Sequence, residues 1–256
     1  MKRDYPIAVH AAFDTIYEDD DVLVVSKAAP LLMHPVGSTA GAEPTLWGGV
    51  RALLAYELAC GGQVSLINRL DRETSGLVLI AKTRRAAHEL GCAMMQRTVR
   101  KTYQAIVQGL PAWEAAACAE PLCPMAGLAP TQVRVRRACH PLGKPCLTEF
   151  RVLRRLSASA ELPERALVEC RPHTGRMHQI RAHLEYMGHP IVGDKIYGGD
   201  ETRYLRFVES GFTPELLREL ILPRHALHAS HLEFCYAGRK ICAHAPLPAD
   251  MAALLH

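Results

Sequence analysis

Asn68-Arg69-Leu70-Asp71-Arg72-Glu73-Thr74-Ser75-Gly76-Leu77 sets a carboxylate between two arginines and closes on a Thr-Ser-Gly turn before an apolar run. A carboxyl flanked by guanidinium groups is expected to stay ionised, because a nearby opposite charge favours the charged form. Held beside a tight turn, such a group can serve as a nucleophile or general base. The same pattern also describes an Asp at a strand–turn junction that satisfies backbone donors. On spacing alone the turn role is the better supported of the two.

Composition adds direction. The basic residues are 23 Arg and 7 Lys, a bias toward the planar, bidentate cation suited to phosphate and base edges. The formal charge is only +4, but it is unevenly spread. Acidic residues gather at Asp14, Glu18, Asp19, Asp20 and Asp21. Basic ones dominate later, at Arg97, Arg100, Lys101, Arg134, Arg136, Arg137, Lys144, Arg151, Arg154 and Arg155. A nearly neutral chain can still carry a positive face. The nine cysteines are an odd number with no Cys-x-x-Cys pair, and no apolar leader opens the sequence. Together these features predict a reducing, cytoplasmic setting with thiols used as small apolar residues. No stretch approaches the ~20 apolar residues of a membrane-spanning helix.

Hydrophobic period outlines the elements. Residues 15–25 read as a strand pair turning at the acidic run 18–21, followed by a loop over 27–37 holding His34-Pro35. Leu46, Val50, Leu53, Leu54 and Leu58 recur at helical spacing. Residues 77–81 suit a central strand, and Thr83 can cap a helix bearing Ala87, Leu90 and Met94 on one face. Further strands are expected at 101–109, 132–137, 148–156, 166–170, 227–234 and 239–242. Residues 110–128 and 193–199 read as loops, a helix covers 178–187 and stops at Gly188, and a short terminal helix follows Pro248. Strands outnumber strand–helix–strand units, which predicts an α+β fold: a mostly antiparallel or mixed sheet with flanking helices. No Gly-rich dinucleotide or P-loop fingerprint occurs.

The histidines invite a metal reading. His173, His178 and His183 are spaced by five, which turns each about 140° from the last on a helix. Zinc helices pair His at i and i+4. His225, His228 and His231 have no companion motif either, so no metal is expected.

Arg69-Leu70-Asp71-x-x-Thr74-Ser75-Gly76-Leu77 resembles the signature of the RluA-type pseudouridine synthases. Gly175-Arg176-x-His178-Gln179-Ile180-Arg181-x-His183 resembles a second family motif, continued by Gly188-His189-Pro190-Ile191-Val192-Gly193-Asp194-x-x-Tyr197-Gly198. Arg100-Lys101-Thr102-Tyr103-x-Ala105-x-Val107-x-Gly109 is similar to the segment that supplies the active-site tyrosine. The stretches 16–35, 148–153 and, more weakly, 227–229 also match, so the likeness runs over residues 14–234. It departs at Ala28-Ala29-Pro30, at 61–66 and over 110–128.

The resemblance implies a pseudouridine synthase fold with a central catalytic cleft. It implies a catalytic domain over 14–256 behind a short extension, 1–13, with no separate N-terminal RNA-binding domain. Asp71 is then the nucleophile, Arg181 its charge partner, and Tyr103 the ring that stacks on uracil and offers its hydroxyl for the final deprotonation. Ile180 packs under the base, Arg69 fills the place that the flipped nucleotide vacates, and Arg100, Lys101, Arg176 and Lys27 contact phosphates. The implied partner is structured tRNA or rRNA, met by a monomer without cofactor. An RNA-binding module without turnover and a zinc hydrolase are the rivals.

Overall fold

The computed structural model describes residues 12–35, 44–199 and 201–256. Most of the 1–13 extension and the end of the loop at Gly37 therefore lie outside the described residues. In chain order the elements begin β1 (Phe13–Glu18), β2 (Val22–Lys27), α1 (Leu46–Leu53), α2 (Ala55–Ala59), β3 (Ser65–Leu66), β4 (Ser75–Ala81), α3 (Arg84–Met95) and β5 (Arg100–Gln108). Then come β6 (Ala115–Cys118), β7 (Leu122–Pro124), β8 (Arg137–Cys139), β9 (Thr148–Leu156), β10 (Arg165–Pro172) and α4 (Gln179–Tyr186). The chain ends with α5 (Thr202–Ser210), α6 (Pro214–Leu220), β11 (Leu227–Tyr236), β12 (Arg239–His244) and α7 (Ala249–Ala252). The chain forms two compact units, residues 1–100 with 229–246, and residues 101–228 with 247–256. Among the described residues, no helix is long and apolar enough to cross a membrane.

In the first unit the strand order is β1-β2-β4-β11, with β12 on β11 and β3 on β4. The β1–β2 turn is set by Asp19, whose carboxylate accepts the Asp21 and Val22 N–H groups at 3.0 and 2.8 Å. β2 runs antiparallel to β4 from Val22↔Ala81 to Lys27↔Gly76. Every residue of β4 is buried, as a continuous apolar run requires. α3 is capped by Thr83, whose hydroxyl accepts the Ala86 N–H, and lays Ala86 and Leu90 into a core with Val22, Val24, Leu77, Leu79 and Phe234. The helix expected from Leu46 to Leu58 is two short helices, broken at Leu54.

The second unit carries the order β5-β10-β9-β6. β10 is antiparallel to both β5 and β9. α4 packs on β8, β9 and β10, and a small core gathers Leu122, Val133, Ala182, Ile196 and Tyr197. Two expectations are corrected here. Residues 110–128 contain β6 and β7 rather than a plain loop. The strand expected at 132–137 begins only at Arg137, because Val133 is turned into the core while Val135 is exposed and the Arg136 N–H closes a turn on the Val133 carbonyl. The α+β class and the antiparallel pairing agree with the sequence pattern.

Candidate active site

Asp71 stands on a turn whose backbone is fixed from several sides within the first unit. Before it, the buried Asn68 side chain donates to the Leu77 carbonyl and accepts the Leu79 N–H at 2.7 Å, so the incoming segment is clamped along β4. Burial then alternates: Asn68 in, Arg69 out, Leu70 in, Asp71 half-buried, Arg72 out. The Thr74 N–H closes on the Asp71 carbonyl at 3.1 Å. Behind it, the Arg72 carbonyl accepts the Leu31 N–H at 2.9 Å and the Lys27 ammonium at 3.1 Å. Gly76, at φ +107°, has no alternative residue, since a Cβ there would lie 2.3 Å from the Ala229 carbonyl oxygen.

Lys27 is a correction. Its side chain is only 1% exposed, and its ammonium also donates to the Ala28 and Leu31 carbonyls at 3.0 Å each. A buried ammonium is tolerated only when its donors are met, and here they hold the Asp71 turn. Lys27 is a structural post, not a phosphate contact. Arg69 and Arg72 are the exposed cations at this turn. Arg100, also exposed, lies 3.8 Å from Glu233.

The second unit holds Lys101, Tyr103, Arg176, Ile180 and Arg181. Tyr103 is buried on β5, opposite Cys170 of β10. The 174–178 turn is organised by Gln179. Its amide oxygen accepts from the Thr174 hydroxyl at 2.6 Å and the Arg176 N–H at 3.0 Å, and its amide nitrogen donates to Leu147 and Thr148, each at 2.9 Å. Arg176 thus stands exposed on a pinned backbone. Lys101 is half-buried, and desolvation lowers its pKa below that of an ordinary lysine.

Ile180 and Arg181 are both buried in the first turn of α4. Arg181 is gripped by a residue that sequence reasoning assigned no role. Its Nε and Nη2 donate to the two carboxylate oxygens of Asp194 at 2.6 and 2.8 Å. Asp194 also accepts the Ile196 and Tyr197 N–H groups. Burial pushes the Asp194 carboxyl up, but the Arg181 charge and these hydrogen bonds outweigh it and hold the group well below the usual carboxylate range. The Tyr197 ring lies 5.0 Å from the Arg181 guanidinium carbon, a cation–π contact. The signal lies in the sequence itself, in Gly193-Asp194-x-x-Tyr197-Gly198, the continuation of the second family motif.

The histidines do separate work. His183 is fully buried, with Nδ1 2.9 Å from the Thr148 hydroxyl and Nε2 3.0 Å from the Glu120 carbonyl. His173 faces Glu149 at 3.1 Å, and His178 meets the Tyr197 hydroxyl. Among the described residues, one trio brings possible ligand atoms within 4.8 Å of one another: His231, Glu233 and Cys242. Glu233 there already binds the Lys240 ammonium at 2.9 Å.

Comparison with known proteins places most of the chain in one family. Residues 21–186 match the family described as RNA pseudouridylate synthase. Ribosomal large subunit pseudouridine synthase D of Neisseria meningitidis is 34% identical over 95% of this chain and 60% of its own length. The protein of the same name from Haemophilus ducreyi is 34% identical over 94% of this chain and 69% of its own. This chain therefore spans between 60% and 69% of those relatives. Among solved structures, human RNA pseudouridylate synthase domain containing 4 superposes with a TM-score of 0.70 at 25% identity, covering 97% of this chain and 93% of that one.

Proposed function

Because the chain belongs to the RNA pseudouridylate synthase family, we propose that it isomerises uridine to pseudouridine in RNA, with Asp71 as the nucleophile. In that reaction the bond from ribose C1′ to N1 breaks and a bond from C1′ to C5 forms. The C5 proton leaves and N1 gains one, so atoms and electrons balance. The observation that carries the assignment is the Asp71 turn, held by Asn68, Leu31 and the buried Lys27 ammonium while Arg69 and Arg72 stay exposed. A carboxylate carried on a backbone fixed this firmly is prepared for attack without reorganising that backbone.

Tyr103 and Arg181 keep the roles the resemblance gives them, with Asp194 as the residue that orients Arg181. Large-subunit rRNA is the favoured substrate, since both bacterial relatives are named for it; structured tRNA is the alternative. A cytoplasmic monomer with its catalytic domain over 14–256 fits that substrate. The target base is flipped out of its stack, with Arg69 filling the gap.

The test is conversion of uridine in transcribed rRNA and tRNA by the wild type and by Asp71→Asn. Conversion by the wild type and none by the variant supports the proposal. Equal conversion by both defeats the role of Asp71. Equal RNA binding by both with no product from either would mark a binding module.

A further inference from the structure

The turn that carries Asp71 is joined by backbone hydrogen bonds to a pair of aromatic rings. The segment 28–35 is tied to the turn through the Leu31 N–H and the Arg72 carbonyl. It is tied in turn to the start of α1, where the Leu46 and Trp47 N–H groups donate to the Leu32 and Met33 carbonyls at 2.8 and 3.0 Å. Thr45 caps this helix through the Gly48 N–H. An unbroken hydrogen-bonded path thus fixes His34 and Trp47 relative to the nucleophile, all within the first unit.

The two rings lie 6.4 Å apart between centroids, tilted by 40°. Arg51, one helical turn beyond Trp47, places its guanidinium 4.6 Å from the indole centroid. His34 and Arg51 are exposed and Trp47 is half-buried. Partial desolvation and the Arg69 charge both push the His34 pKa below the usual histidine value, and Arg69 lies within electrostatic reach of it. Trp47 is followed by Gly48 and Gly49, a pair that weakens a helix but raises no side chain beside the indole.

Trp47, backed by an arginine and flanked by a histidine, keeps part of its ring open to solvent. It is suited to an unpaired nucleobase, whose π-face stacks on aromatic side chains while arginine supplies cation–π and phosphate attraction. We propose that Trp47, with His34 and Arg51, forms a stacking subsite for an unpaired base, preferentially a purine, next to the uridine that reacts. The purine preference follows from the larger ring area. This subsite rests on the proposed activity and deepens it, because it makes the RNA around the target a single-stranded segment rather than a duplex.

Two measurements test it. In protein carrying Trp113→Phe and Asp71→Asn, Trp47 is the remaining one of the chain's 2 tryptophans. Its fluorescence should be quenched by a short A-only oligoribonucleotide, less by a U-only one of equal length, and not by the duplex the two form. In parallel, Trp47→Ala should raise KM for transcribed rRNA by about tenfold with little change in kcat. Trp47→Phe should stay near the wild type, and matching thermal melts exclude misfolding. Absence of quenching by either strand, or an unchanged KM in a folded Trp47→Ala enzyme that still makes pseudouridine, overturns the subsite alone. Strand-selective quenching in a protein whose wild type converts no uridine overturns the activity and keeps the subsite.

Discussion

Arg181 and Asp194 form a buried, bidentate ion pair, and removing one partner of such a pair leaves an uncompensated charge. Asp194→Asn is expected to destabilise the protein by ~3–5 kcal/mol in urea unfolding at neutral pH. The sign of its pH dependence follows from the depressed pKa. The carboxylate's contribution is fully present above the ordinary carboxylate range and is lost as pH falls through the lower folded value. The gap between wild type and variant should therefore narrow only in strong acid. Lys27→Met gives a second residue-level prediction. It leaves buried carbonyls around the Asp71 turn without their donor, which costs on the order of 2 kcal/mol and lowers kcat. It should leave the salt dependence of RNA binding unaltered. At this scale the sequence was informative about the turn after Asp71 and the apolar strand that follows it. For Lys27 the resemblance implied a phosphate contact where the structure shows burial, because a lysine's long stem lets its charge end either in solvent or on carbonyls, and only the packing of 28–35 decides.

The elements that were legible carry either a strict period or a cap. β4 reads as a buried strand from Leu77-Val78-Leu79-Ile80-Ala81, and α3 from Thr83 with Leu90. The strand expected at 132–137 was misplaced because alternation there is local. Thr131 accepts the Val133 N–H and Glu201 the Gln132 N–H, so side chains from elsewhere take over the ladder's role. α5 and α6 were missed, although Thr213-Pro214-Glu215 is a start signal: Thr213 accepts the Leu216 N–H and Pro214 occupies the first turn. Thr213→Ala should cost ~1 kcal/mol of thermal stability without touching activity. Gly76→Ala should be far harsher. A Cβ at 2.3 Å from a carbonyl oxygen, at a left-handed φ, cannot be absorbed by a flexible neighbour. Soluble yield should collapse, and a wild-type melting curve for that variant would contradict the close approach of Gly76 to Ala229.

For the molecule as a whole, the charge distribution predicts how RNA is held. With Lys27 removed from the phosphate contacts, Arg100, Lys101 and Arg176 remain. Three contacts give a log–log salt slope of about −2 on single-stranded RNA, a ~20-fold loss of affinity between about 50 and 200 mM salt. Filter binding across that range checks it, and a flat response would remove these residues from the interface. The α+β class was legible in the strand count, but the division into units was not, since the chain passes between them at 100–101, 228–229 and 246–247. β11 begins in the second unit and continues into the first, and the buried Arg165 reaches the Leu254 and His256 carbonyls at 2.6 and 3.1 Å. This threading bears on biosynthesis. Translation must pass residue 236 before β4 acquires β11 as its last sheet neighbour, so a nascent polypeptide stalled midway would leave one edge of β4 unpaired and depend on chaperones.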